Sequence, residues 1–177
     1  MKEISWQVVW RKLHFWGSVA VAIPVLIVVV SGILLLLRKD IDWIQPPTHK
    51  GGAAEPSITL DRVLEIAKSQ PLGEINDWSD ISRLDVRPGK GVIKIRSKNQ
   101  WEIQIDSQSG AVLSTAYRRS DIIEAIHEGT FFHDAARLGI FLPSALMLLI
   151  LWITGIYLFV ITINKRTKKR RRLNNKP

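Results

Sequence analysis

The sequence contains no cysteine. That excludes disulfides, thiolate metal sites, cysteine nucleophiles and covalent c-type haem attachment. Histidine is scarce, with four in 177 residues. Any imidazole chemistry therefore rests on His14, His49, His127 or His133. There is no P-loop, no Gly-x-Gly-x-x-Gly and no visible nucleophile–base–orienter set. Charge is missing from two long stretches. Residues 13–37 and 138–163 hold no Asp, Glu, Lys or Arg.

Those stretches are the strongest positive feature. At the helical rise they extend roughly 37 and 39 Å, against a hydrocarbon core of about 30 Å. Each can cross a bilayer with some tilt. Residues 13–37 exceed the apolar core of a signal peptide, usually about 7–15 residues. The chain then continues Arg38-Lys39-Asp40 rather than with a small-x-small cleavage signal, so the reading is an uncleaved signal anchor. The chain reads as a membrane hairpin with a small domain between two spans.

The formal charge of +9 is unevenly placed. Three basic residues and one acidic precede the first span, eight basic and no acidic residues follow the second, and residues 38–137 carry 14 basic against 15 acidic. By the positive-inside rule both termini are expected in the cytoplasm and the middle outside. Because the excess lies beside a span, the high pI argues for no nucleic acid. The tail, residues 165–172, reads as a stop-transfer anchor that could also hold anionic lipid. Trp6, Trp10, Trp16 and Trp43 flank the first span as an aromatic belt. Gly17 and Gly155 fall at similar depth and allow close helix approach.

The middle begins with a Pro- and Gly-containing linker that has little to bury. Thr59 is a candidate N-cap, and Leu60, Val63, Leu64 and Ala67 share one helical face. Pro71 ends that helix. Leu84 and Val86, then Ile93 and Ile95, then Trp101, Ile103 and Ile105 alternate with polar residues. Turns at Pro88-Gly89-Lys90-Gly91, Ser97-Lys98-Asn99 and Asp106–Gly110 separate them. The expectation is an antiparallel meander, dry on the helix side and wet on the other.

The segment Trp101-Glu102-Ile103-Gln104-Ile105-Asp106-x-x-Ser109-Gly110-x-Val112-Leu113 resembles the end of a PepSY domain. Arg11-Lys12-Leu13-His14-Phe15-Trp16-Gly17 and Ser31-Gly32-Ile33-Leu34 resemble the first span of PepSY-associated transmembrane proteins. Ile126-His127-x-Gly129-x-x-Phe132 and Thr154-Gly155-Ile156-Tyr157 resemble their last span. Larger relatives include iron-regulated inner-membrane proteins and ferric-siderophore reductases that hold haem through histidines. Isolated PepSY domains occur in protease pro-regions and cell-wall regulators, where they bind or inhibit. This chain has two spans where the reductases have more.

The resemblance makes His14 and His127 candidate haem b ligands. Two axial nitrogens must lie roughly 4 Å apart, twice a metal–nitrogen bond. His14 sits at one end of the bilayer and His127 and His133 at the other, so one chain cannot clamp one haem between them. A homodimer or a larger membrane-protein partner would supply the second ligand. Asp121, Glu124, His127 and Glu128 share a face if residues 121–128 are helical. With His133 and Asp134 following, His127, Glu128, His133 and Asp134 are candidate metal ligands. The second histidine comes too late for the zinc-peptidase H-E-x-x-H. His49, alone in the linker, is uninformative.

The resulting expectation is an inner-membrane, two-helix transmembrane hairpin carrying a periplasmic α+β PepSY-like domain. Its parts are a cytoplasmic N-terminus (1–12), first span (13–37), linker (38–56), domain (57–119), amphipathic connector (120–137), second span (138–163) and basic tail (164–177). Function is expected to be a non-catalytic binding or accessory module in iron uptake or envelope physiology. The alternatives are a haem-carrying subunit of a ferric-chelate reductase and a protease regulator.

Overall fold

The computed structural model describes residues 6–52 and 55–174. Lys2, Glu3 and Lys176, which enter the charge asymmetry, lie outside them. The chain divides into two compact units, Met1–Val30 with Ile126–Pro177, and Ser31–Ala125.

In the first unit the long helices α1 (Trp6–Leu36) and α5 (Leu142–Asn174) dominate. Pro24 lies inside α1, which is continuous through it. Most apolar side chains on both helices are exposed. Helices with so much bare apolar surface are built for lipid rather than water. They meet where side chains are small. A Cβ on Gly17 would lie 3.3 Å from the Leu151 side chain, and one on Gly155 would lie 3.6 Å from His14. Ahead of α5 come a helical turn, α4 (Asp134–Ala136), and a π-helical stretch, Arg137–Phe141. Gly129 has φ +85°, and a Cβ there would strike the Phe141 ring at 2.3 Å. Phe132 stacks on the same ring at 6.1 Å. The Gly129-x-x-Phe132 motif thus shapes the entry to the second span.

In the second unit α2 (Leu60–Lys68) packs on a four-stranded antiparallel sheet. The strands are β1 (Ile81–Arg87), β2 (Val92–Ser97), β3 (Trp101–Asp106) and β4 (Val112–Tyr117), in the order β1-β2-β3-β4. Thr59 caps α2, its hydroxyl accepting from Arg62 N at 3.3 Å. Val63, Ile66, Ala67 and Ile75 pack against Ile93, Ile95, Ile103 and Ile105. Leu60 is exposed instead, and Ile66 takes its place on the dry face. Trp101 is half-buried and packs edge-on against Tyr117 at 5.7 Å. α3 (Ser120–Glu128) follows the sheet.

The opposite sheet face is covered over β2 and β3. Lys94, Glu102 and Gln104 are at most 1% exposed. Residues 45–52 lie across this face, held through polar contacts rather than apolar burial. Gln104 Nε2 donates to Pro47 O at 2.8 Å, and His49 N donates to Gln104 Oε1 at 2.9 Å. Gly51 N donates to Lys90 O at 2.8 Å. A Cβ on Gly51 would collide with the Gly91 carbonyl at 1.8 Å, so only glycine fits there. The expectation of a solvated outer face is corrected for β2 and β3; on β1 Arg83 stays exposed.

Candidate functional site

The covered sheet face is organised around one carboxylate. Lys94 Nζ donates to Glu102 Oε1 at 2.8 Å, and Gln104 Nε2 donates to the same oxygen at 2.9 Å. Arg118 Nη1 donates to Glu102 Oε2 at 2.9 Å. Arg96 Nε stands 3.7 Å from that oxygen. Three cations therefore converge on a single buried acid. Arg118 also binds Asp121 at 2.7 Å and the Gln45 side chain at 3.1 Å. Burial pushes the Lys94 ammonium below its ordinary pKa against the opposing pull of Glu102. Burial, and then the charge of Arg118, lower that of Arg96.

Beside this network opens a cavity of about 620 Å³. Its lining includes seven basic side chains, Arg38, Lys39, Arg83, Arg87, Lys90, Arg96 and Arg118, and one acid, Glu124. The sheet register explains the convergence. Arg83 and Arg87 on β1 and Arg96 on β2 project from one face, and Arg83 is the cross-strand partner of Arg96. Like charges directly opposite one another are destabilising. Arg87 is neutralised by Asp85, donating from Nη2 at 2.7 Å, and this contact holds the Asp85 carboxyl below its usual range. Arg38, Lys39, Arg83 and Lys90 form no ion pair among the described residues. The arrangement suits binding an anion.

Asp106 fastens the covering segment. Its Oδ1 accepts from Ser109 N at 2.7 Å, Gln108 N at 2.9 Å and Ser109 Oγ at 2.9 Å, while Oδ2 accepts from Gly52 N. These donors, Ser109 N foremost, hold its carboxyl far below the ordinary carboxylate range. Because the folded pKa is depressed, the stabilisation is complete above the unfolded value of about 3.9 and declines as pH falls below it towards the folded pKa. The full chain should therefore melt at a lower temperature as pH falls below about 4. In Asp106→Asn that pH dependence should be shallower. Equal slopes in thermal melts of the two proteins would contradict this role.

The candidate ligands found by sequence fall elsewhere. His14, on α1, faces α5, with Nδ1 3.2 Å from Thr154 Oγ1. The Thr154 hydroxyl also lies 2.9 and 3.0 Å from the Ile150 and Leu151 carbonyls of its own helix. An apolar groove of about 350 Å³ includes His14, Ser18, Ala22, Leu148 and Trp152 in its lining. His127 and Glu128 end α3, whereas His133 is the N-cap of α4, its Nδ1 accepting from Ala135 N at 3.0 Å. Among the described residues no three His, Asp or Glu side chains gather as a metal-ligand group. His127, Glu128, His133 and Asp134 are thus not brought together. On α3, Asp121 is engaged by Arg118 and Glu124 lines the cationic cavity. His49 contributes its backbone N–H to the cover of the sheet.

Sequence reasoning missed the cavity. Its basic residues run from Arg38 to Arg118, and nearby acids hide them in any local charge count. The available signal was the Arg83–Arg96 pairing implied by the strand register.

Neither a curated protein nor a solved structure matches the chain. The family model of the PepSY-associated TM region matches residues 11–176, nearly the whole length. The matched region includes most of α1, all of α5, the His14–Thr154 contact between them and the sheet domain, so the chain is a membrane protein and belongs to the family of PepSY-associated transmembrane regions.

Proposed function

We propose that this protein is a membrane-anchored binding module. Its domain between the spans offers a cationic cavity to an anionic ligand at the outer face of a bacterial inner membrane. The single observation that carries this reading is the convergence of seven basic side chains on one cavity. The basic tail after the second span supports an orientation with both termini cytoplasmic. That tail also suits anionic lipid, and the charge balance between the spans speaks against nucleic acid. Action as an accessory in iron uptake or envelope physiology draws on the resemblance of the two spans. The close approach at Gly17 and Gly155 leaves most of both helices bare for a second copy or a larger membrane partner.

The test is a thermal melt of the full chain in neutral detergent with citrate or inorganic pyrophosphate. A ligand that binds only the folded state raises the melting temperature. Kosmotropic anions also stabilise proteins non-specifically. The informative quantity is therefore the part of the shift lost in Arg83→Gln/Arg96→Gln. Equal shifts in wild type and variant would refute the reading.

A second reading, a haem-carrying electron-transfer subunit, is favoured by the His14–Thr154 geometry. A metal-ligating imidazole commonly has its other ring nitrogen hydrogen-bonded, and His14 Nδ1 lies 3.2 Å from Thr154 Oγ1. One chain would supply one axial ligand at this depth, because His133 precedes Thr154 by about 30 Å of helix. Haem held there would supply one-electron chemistry; His14 would ligate, and Thr154 would fix the ring. The purified protein should then show a Soret band that His14→Ala abolishes and His49→Ala leaves intact. A colourless wild-type protein, or a band that survives His14→Ala, would remove this reading.

A further inference from the structure

We propose that the ligand of the cationic cavity is a phosphate ester of headgroup size, taken at the bilayer surface. The inference rests on the anion-binding reading and names the ligand class.

Location is the first argument. Arg38 and Lys39 lie in the 3₁₀ turn Leu37–Lys39 that directly continues α1, and both line the cavity. The rim is thus within one turn of the end of an apolar span, the depth at which lipid phosphates lie. Basic residues next to a span are drawn to anionic headgroups.

Donor type and direction are the second. Five of the seven basic lining residues are arginines, the side chain best matched to oxyanions by its planar fork; Arg87 and Arg118 already donate to Asp85, Glu102, Asp121 and Gln45, while Arg38 and Arg83 form no ion pair among the described residues. The five arginines come from four places in the chain: the end of α1 (Arg38), β1 (Arg83, Arg87), β2 (Arg96) and the segment after β4 (Arg118). A planar carboxylate satisfies forks lying near one plane. Phosphate oxygens are arranged tetrahedrally and can accept from several directions.

Unfinished bonding is the third. Arg96 Nε is buried without a hydrogen-bond partner among the described residues. Its cross-strand neighbour is another arginine, Arg83, which has no ion pair among them. An acceptor seated beside Arg83, which is exposed, would relieve the like-charge contact. The volume, about 620 Å³, exceeds what one small ion requires and falls in the usual range for ligand sites.

Two sources share this chemistry, a lipid headgroup and a soluble phosphate ester. The experiment is calorimetric titration of the full chain in neutral detergent. The probes are monomeric short-chain phosphatidylglycerol, glycerol 3-phosphate and citrate. At least one phosphate probe should bind more tightly than citrate. Its affinity should fall about tenfold or more in Arg83→Gln and again in Arg83→Gln/Arg96→Gln, as expected for lost charge-assisted hydrogen bonds. Lys98→Gln, outside the cavity lining, should leave it unchanged. Arg83 is exposed, so its substitution tests the site without disturbing the core. Preference for the lipid, weakened by Arg38→Gln/Lys39→Gln, assigns the headgroup as source; preference for glycerol 3-phosphate assigns a soluble ester. Citrate binding tighter than either phosphate probe, with the same arginine dependence, would overturn the ligand class and leave the anion site standing. Phosphate binding indifferent to Arg83 and Arg96, or no binding by any probe, would overturn both.

Discussion

Replacing Glu102 with leucine should destabilise the domain by about 3–5 kcal/mol, the usual consequence of removing one partner of a buried ion pair. Lys94 and Arg118 would remain buried, with side chains 1% and 7% exposed and their shared acceptor gone. Arg96 would lose its nearest counter-charge as well. Removing a cation along with the acid should restore part of the stability. Glu102→Leu/Lys94→Met is therefore expected to melt above Glu102→Leu alone, because the two effects are coupled through direct contact. Thermal or urea unfolding of the full chain in detergent measures both variants. A Glu102→Leu protein within about 0.5 kcal/mol of wild type, the range of an ordinary surface substitution, would mean that Glu102 is solvated.

The second large effect lies on the other face of the same strand. Ile103 is fully buried between α2 and the sheet. Ile103→Asp would place an unpaired charge there and should unfold the domain, since the penalty of several kcal/mol rivals the stability of a domain this small. Trp101→Asp, two residues earlier, should be milder. Trp101 is half-buried at the start of β3 and packs against Tyr117 rather than in the buried cluster. Intrinsic fluorescence and circular dichroism of the two variants should rank them in that order. The reverse ranking would contradict the register of β3.

The dry side of the fold was legible in the sequence because alternation marks one face directly. Ile93, Ile95, Ile103 and Ile105 could be read from period two, and Thr59 from its place ahead of an apolar helical face. On the helical face Val63 and Ala67 are buried and Leu64 packs against the core, as their spacing implies; Leu60 satisfies the spacing but is exposed, and Ile66 completes the face instead. The polar side was not legible. Alternation shows that Lys94, Arg96, Glu102 and Gln104 face away from the core, not what lies over them. Residues 45–52 cover that side with backbone groups, a glycine approach and amide contacts, none of which leaves an apolar signature. The cationic cavity was hidden for a related reason. The segment between the spans is nearly neutral, 14 basic residues against 15 acidic. Only pairing in three dimensions shows that seven of those basic residues share one cavity with a single acid of the lining. His14 stood out because an ionisable residue at the edge of a span is exceptional. Thr154 is legible as part of the Thr154-Gly155-Ile156-Tyr157 motif, but its contact with His14 is not, since a hydroxyl in a span commonly bonds its own helix.

The most direct test of the cationic site is equilibrium dialysis of the full chain, in neutral detergent, against labelled citrate and labelled pyrophosphate at low and high salt. At least one anion should occupy a single saturable site per chain. Its affinity should fall when the salt is raised to about 1 M, where screening acts within about 3 Å, and again in Arg83→Gln/Arg96→Gln. Absence of saturable binding by either anion, or binding unchanged by salt and by both substitutions, would contradict a ligand site at this cavity.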